Sequence, residues 1–282
     1  MTQRRCVVCG HSQSSVVFEE FGIDVLRCQQ CGHVYSSYQA DQHFDGYFGE
    51  RVPPGDHFWW NQAHSRMYTD FCNRFLAGQK GRLLDVGCGL GFFVKKVSSL
   101  PDWYAHGCET SKAAVDFAQR ELGLASVRHG PVEECGYPDN YFDIVTLWDV
   151  LEHVPEPDPL LSFLRAPLKD DGMLFIHTPN VNIQLPKARM IRFLRGMHPS
   201  LHYLEAKDHV NLYSMDTLTR VLRSTGYRDI KFTHLPPIQS LSGSRNRVLM
   251  LVKNSVYQIS RVLFHMSLGR LNLDNLFVVA KN

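Results

Sequence analysis

Three groups of residues in this chain could do chemistry. Cys6-Val-Val-Cys9-Gly and Cys28-Gln-Gln-Cys31-Gly are two C-x-x-C turns, spaced as in structural zinc sites. Cys6, Cys9, Cys28 and Cys31 would close a tetrahedral shell, so Zn2+ there would be structural, not catalytic. A redox role for either pair is the alternative. The second group is Asp85 followed by Gly87-x-Gly89-x-Gly91. The dinucleotide fingerprint would need glycine at the place of Phe92. A carboxylate just before the glycine turn would also repel a pyrophosphate, and it suits a cationic ligand. The third group is His153 and His209, whose imidazoles can move a proton near neutral pH.

These residues need elements to hold them. Leu83–Val86 is a short apolar run of buried-strand length, and a helical pattern follows the glycines. That is the strand, turn and helix that open a nucleotide-binding α/β sheet. Trp103–Cys108 reads as a second strand ending at Glu109, at the distance of a ribose-holding carboxylate. Thr110-Ser111 caps a helix to about Leu122. Ala125–Arg128, Phe142–Trp148, Gly172–His177, Tyr227–His234 and Asp274–Lys281 are the remaining strands, with a helix expected over Pro157–Leu168. Two short strands, Val16–Phe18 and Val25–Arg27, lie between the cysteine pairs. The fold class is therefore α/β, a Rossmann-like seven-stranded mixed sheet with a small N-terminal zinc ribbon. The last strand is expected at its antiparallel edge.

At Asp85 through Gly91 the sequence resembles the class I S-adenosylmethionine (SAM) methyltransferases. Asp149-Val-Leu-Glu-His153-Val-Pro-Glu-Pro strengthens this, since it resembles the post-strand motif of methyltransferases related to the ubiquinone-biosynthesis O-methyltransferase. The resemblance implies SAM as cofactor, with a carboxylate suited to its ammonium and sulfonium charges. The implied cofactor residues are Asp85, Gly87, Cys88, Gly89, Gly91, Glu109, Thr110, Val132, Trp148 and Asp149. Pro131 stands where the family often has an adenine-binding Asp, which leaves the adenine to apolar and backbone groups near Val132. His153 and His209 are the candidate bases for an oxygen acceptor. The implied activity is methyl transfer to a small-molecule, sugar or glycan-intermediate acceptor, with sugar C-methylation as alternative. An NAD-dependent sugar enzyme and a non-catalytic zinc-ribbon interaction protein are readings of other classes.

The organisation expected is a ribbon over 1–38, a linker over 39–56 and a methyltransferase domain over 57–282. Phe58–Leu76 has helical spacing, and its Trp59 and Trp60 either cover the pocket or fill the core. A lid is expected over about 181–213, where Lys187, Arg189, Arg192, Arg195, His198 and His202 either grip an acidic acceptor group such as a phosphate or form a solvated face. A helix over about 245–268 is expected to pack on the protein, with contact to a membrane surface as the alternative. Ordinary composition and a formal net charge of +2 give no sign of a nucleic-acid partner. The N-terminal residues do not read as a signal peptide, and no run is long and apolar enough to span a bilayer. A reducing, cytoplasmic setting is the expectation.

Overall fold

The computed structural model describes residues 5–42, 58–238 and 247–282. Most of the linker, including Phe44, Asp45, Tyr47 and Phe48, lies outside the described residues. Strands β4 (Gly81–Val86), β5 (Trp103–Glu109), β6 (Val127–His129), β7 (Phe142–Trp148), β8 (Leu168–Thr178), β10 (Arg228–Thr233) and β11 (Leu276–Lys281) form one sheet. Its order is β10-β11-β8-β7-β4-β5-β6. β4 to β8 run parallel, and β11 is antiparallel to both of its neighbours. Near-continuous apolar sequence in β7 fits a strand covered on both faces.

β11 is not the edge that the sequence suggested. It lies between β8 and β10, because Leu276, Phe277, Val278 and Ala280 are all fully buried. β10, with Arg228, Asp229 and Lys231 open to solvent, takes the edge. The helix expected over Pro157–Leu168 also ends early, as α4 (Pro157–Phe163). Pro167 disfavours helix at the residue before it, and β8 starts at Leu168.

The other helices are α1 (Ser65–Phe71), α2 (Phe92–Ser98), α3 (Lys112–Arg120), α5 (Val181–Arg195), α6 (Met215–Ser224) and α7 (Arg247–Met266). Widened π-type turns, Phe58–Ala63 and Cys72–Leu76, flank α1. Ser111 caps α3 by accepting from Ala114 N–H, and Ser214 with Thr217 forms a capping box on α6. On one face of the sheet, Phe71, Phe93 and Phe175 pack around Trp148 with ring centroids 4.7 to 5.4 Å apart.

The N-terminal segment adds β1 (Ser14–Glu20), β2 (Ile23–Cys28) and β3 (Val34–Ser36). A fourth strand completes this antiparallel sheet, and it comes from the far side of the chain: β9 (Asn211–Leu212) pairs with β3. Phe18, Val25 and Val34 then share a buried cluster with Val181, Leu185, Tyr203 and Leu212. The ribbon is thus continuous with the 181–213 segment.

Candidate active site

Parallel strands deliver their C-terminal residues to one end of the sheet, where open α/β folds bind ligands. A cavity of about 610 Å³ lies there, within the range of small-molecule sites. Of the ten cofactor residues read from sequence, Gly87, Gly89, Glu109, Thr110, Val132, Trp148 and Asp149 line it. Asp85, Cys88 and Gly91 sit behind the lining. Gly87 has φ +66°, and a Cβ there would lie 2.7 Å from Val150 Cγ2, so both conformation and space require glycine.

The Glu109 carboxylate closes over this turn. It accepts N–H bonds from Gly89 at 2.8 Å and Ser111 at 2.9 Å. Burial raises its pKa, against the pull of those donors. Asp85 is fully buried and accepts a 2.7 Å bond from Thr146 Oγ1. Burial pushes it up to about 8, opposed by Thr146 and assisted by the Glu109 charge. It does not line the cavity, and a cation placed there would draw it back towards ionisation.

Asp149 follows β7 with φ +52°, a conformation that costs a non-glycine residue energy and needs support. Its support is two buried histidines. His177 Nδ1 lies 2.9 Å from Oδ1, and His64 Nε2 lies 3.7 Å from Oδ2. Burial alone would raise this carboxyl, but the histidines hold it well below the usual range. Trp60, which lines the cavity, stacks on His64 at 5.1 Å.

His153 and His209 are brought together, with ring centroids 4.9 Å apart, and both line the cavity. His153 Nδ1 is 3.0 Å from the Asp208 carbonyl. A carbonyl only accepts, so Nδ1 carries the proton and Nε2 keeps its lone pair. The expectation of ordinary imidazoles is corrected here. Burial, with the neighbouring His209, pushes His153 down to about 4. Burial also lowers His209, against the charges of Glu205 and Asp149.

Sequence reading passed over Glu152, which is buried beside His153 and lines the same cavity. Neither of its carboxyl oxygens makes a hydrogen bond of good geometry. Burial, then the Asp149 charge, raises its pKa well above the ordinary value. Glu152, His153 and His209 each offer a donor atom within 4.8 Å of the others. Its signal was its place in the motif already singled out, next to His153. His177 could have been found at the C-terminal end of β8, but His64 carried no comparable signal.

The basic residues of the 181–213 segment do not converge on the cavity. Of the six, His202 lines it. Arg189 and Arg192 instead donate to the Val17 and Glu19 carbonyls of β1.

The second cluster is the four-cysteine one. Cys6 and Cys31 lie 3.5 Å apart at sulfur, as do Cys9 and Cys28, and all four sulfurs are within 4.8 Å. Tetrahedral zinc with Zn–S of about 2.3 Å would set them about 3.8 Å apart. Gly10 and Gly32 close equivalent turns, each donating N–H to the carbonyl of Cys6 or Cys28. No cysteine is in a disulfide.

Residues 59–231 match a family model described as "Methyltransferase domain", more than half of the chain. The chain belongs to that family. It is an enzyme of the class I, SAM-dependent methyltransferase kind, and the NAD-dependent and non-catalytic readings fall with this match. The ubiquinone biosynthesis O-methyltransferase of Bordetella avium is 28% identical over 194 residues, 60% of this chain and 74% of its own. That of Coxiella burnetii is 29% identical over 199 residues, 64% and 82%. The match spans 48% of the Neisseria meningitidis serogroup A enzyme of the same name. Among solved structures, the Haloferax volcanii complex of the Trm112 methyltransferase activator with a putative methyltransferase superposes with TM-score 0.57 at 12% identity. It covers 86% of this chain and 99% of that one. A SAM-dependent methyltransferase from Archaeoglobus fulgidus gives 0.51 at 19%, covering 81% and 98%. At such identities the likeness is one of fold.

Proposed function

We propose that this methyltransferase moves the SAM methyl group to an oxygen of a small-molecule acceptor held beside His153 and His209. The observation that carries the reading is that two histidines distant in sequence meet in the cavity that also holds the glycine turn and Glu109. In this reading the donor lies along Gly87 and Gly89, its ribose hydroxyls on Glu109 and its adenine against Pro131 and Val132. The Asp149 and Asp85 carboxyls supply negative field for the cationic end. Methyl transfer needs in-line placement above all. It also removes the sulfonium charge, so a proton taken by His153 Nε2 replaces one positive charge by another in the same cavity.

The expected result is that His153→Ala and His209→Ala lose turnover by about a hundredfold, the scale of general-base catalysis, while calorimetry shows SAM bound as before. Full activity in the double variant would remove the histidines from the mechanism. With His153 depressed to about 4, kcat/KM stays flat through neutral pH and falls only as the pH drops towards that value. An ordinary imidazole would instead give a fall near pH 6.5.

A second reading rests on the buried Glu152 carboxyl, which lines the cavity and makes no hydrogen bond of good geometry. Glu152, His153 and His209 fit a divalent cation, the low pKa of the imidazoles keeping their nitrogens unprotonated. When bound, such an ion would make an acceptor hydroxyl more acidic. Activity lost to a chelator and restored by Mg2+ or Mn2+, but not in Glu152→Gln, would establish it.

The four cysteines are read as the site of one structural zinc. Elemental analysis should find about one zinc per chain. The sugar or glycan class of the acceptor, and oxygen over carbon, are tested by mass spectrometry and NMR of products formed from labelled methyl donor.

A further inference from the structure

The chain leaves the cavity wall at Ile238 and returns to it at Asn275. Between them stands α7, seated by one face only. Tyr257, Ser260 and Phe264 are buried, with Ser260 Oγ 3.2 Å from His234 Nε2. Leu251, Val256, Ile259, Val262 and Met266 are exposed. At 100° per residue all of these but Val256 fall within an arc of about 80° opposite the buried three, and Val256 lies about 60° to one side of it. Leu268, Leu271 and Leu273 extend the exposed apolar surface beyond the helix, Leu268 at 88%.

The charges on this segment have one sign. Residues 247–273 contain Arg247, Lys253, Arg261, His265 and Arg270 and no Asp or Glu. Arg261, His265 and Arg270 are exposed. Helix α5 repeats the pattern: Met190, Phe193 and Leu194 are exposed, and residues 181–204 hold no acid. Its cap, Asn180, donates to the carbonyls of Asn272 and Asp274, which ties the two segments together.

An exposed apolar stripe flanked by cations and lacking acids is the pattern of a helix lying in a lipid interface. We propose that α7 and the segment to Leu273 dock the enzyme on an anionic bilayer surface, next to the cavity mouth. Charge selects this occupant. A two-fold contact of this segment with a second copy would bring two sets of cations together, with no acid within residues 247–273 to offset them. No described helix is long and apolar enough to cross a membrane, so the mode is surface contact.

The test is flotation of the full chain with vesicles of phosphatidylcholine, with and without phosphatidylglycerol, at low and high ionic strength. Wild type should float with the anionic vesicles at low salt and be released by high salt. Ile259→Glu with Val262→Glu should reduce the bound fraction by at least about tenfold. A control pair, Val16→Glu with Tyr104→Glu, changes the charge equally at exposed positions elsewhere and should bind as wild type does. Unchanged SAM binding in both variants, by calorimetry, would show that they fold. Three results would overturn the proposal: no flotation of wild type at low salt, equal loss in both variants, or a wild-type dimer in sedimentation equilibrium that I259E/V262E dissociates.

Discussion

In the proposed reading, Asp85 is a single carboxyl that serves binding at the expense of stability. Its pKa is raised to about 8 in the fold, so the unfolded chain binds fewer protons here between about pH 4 and 8. By linkage, the residue lowers stability as pH rises through that window. Asp85→Asn, which keeps an acceptor for Thr146, should therefore melt above wild type, by a margin that widens from about pH 5 to 8. It should also bind SAM more weakly. Melting curves across pH would sink this account if the margin were constant. Gly87→Ala addresses the neighbouring position, where φ is +66° and Val150 stands 2.7 Å from the new methyl. A loss of about 1–3 kcal/mol, together with SAM affinity, is expected.

At the scale of elements, the ribbon braces the loop that carries the second histidine. Glu20 of β1 is buried and accepts N–H bonds from Leu204 at 3.2 Å and Ala206 at 3.0 Å. Ser36 donates to the Ala206 carbonyl at 2.5 Å, and His33 meets Asn211 at 3.2 Å. Glu205, Asp208 and His209 lie on the stretch so held, and all three line the cavity. Glu20→Ala would strip two buried N–H groups of their acceptor, at about 1–3 kcal/mol each. The expected outcome is poorer acceptor kinetics with SAM affinity unchanged. Glu20→Gln, which retains a carbonyl acceptor, should recover part of the loss. Equal damage to donor binding would show that the effect is general unfolding.

For the whole molecule, the ribbon and the 181–213 segment share one buried cluster, and β9 completes the ribbon's sheet. Metal and core should then unfold together. Scanning calorimetry is expected to show a single transition, one that moves down with a chelator if the four cysteines hold zinc as proposed. A separate low-temperature transition for the N-terminal part would contradict this coupling.

Much of this was legible from local signals. Asp85 with its glycines, Glu109 at a strand end and the cysteine turns are short-range patterns, since turn chemistry and ligand spacing act over a few residues. The seven strands were legible through apolar runs. What local pattern could not encode was who stands beside whom. β11 enters the sheet between β8 and β10 because its side chains are buried on both faces, a fact about its neighbours. Arg189 and Arg192 serve β1 and not the cavity. The depressed imidazoles, the buried Glu152 and the His64–Asp149–His177 cluster arise from groups far apart in the chain. Sequence determined which groups exist and which turns hold them. Tertiary packing alone decided their protonation, because desolvation and Coulomb energies depend on distances that only the folded chain sets.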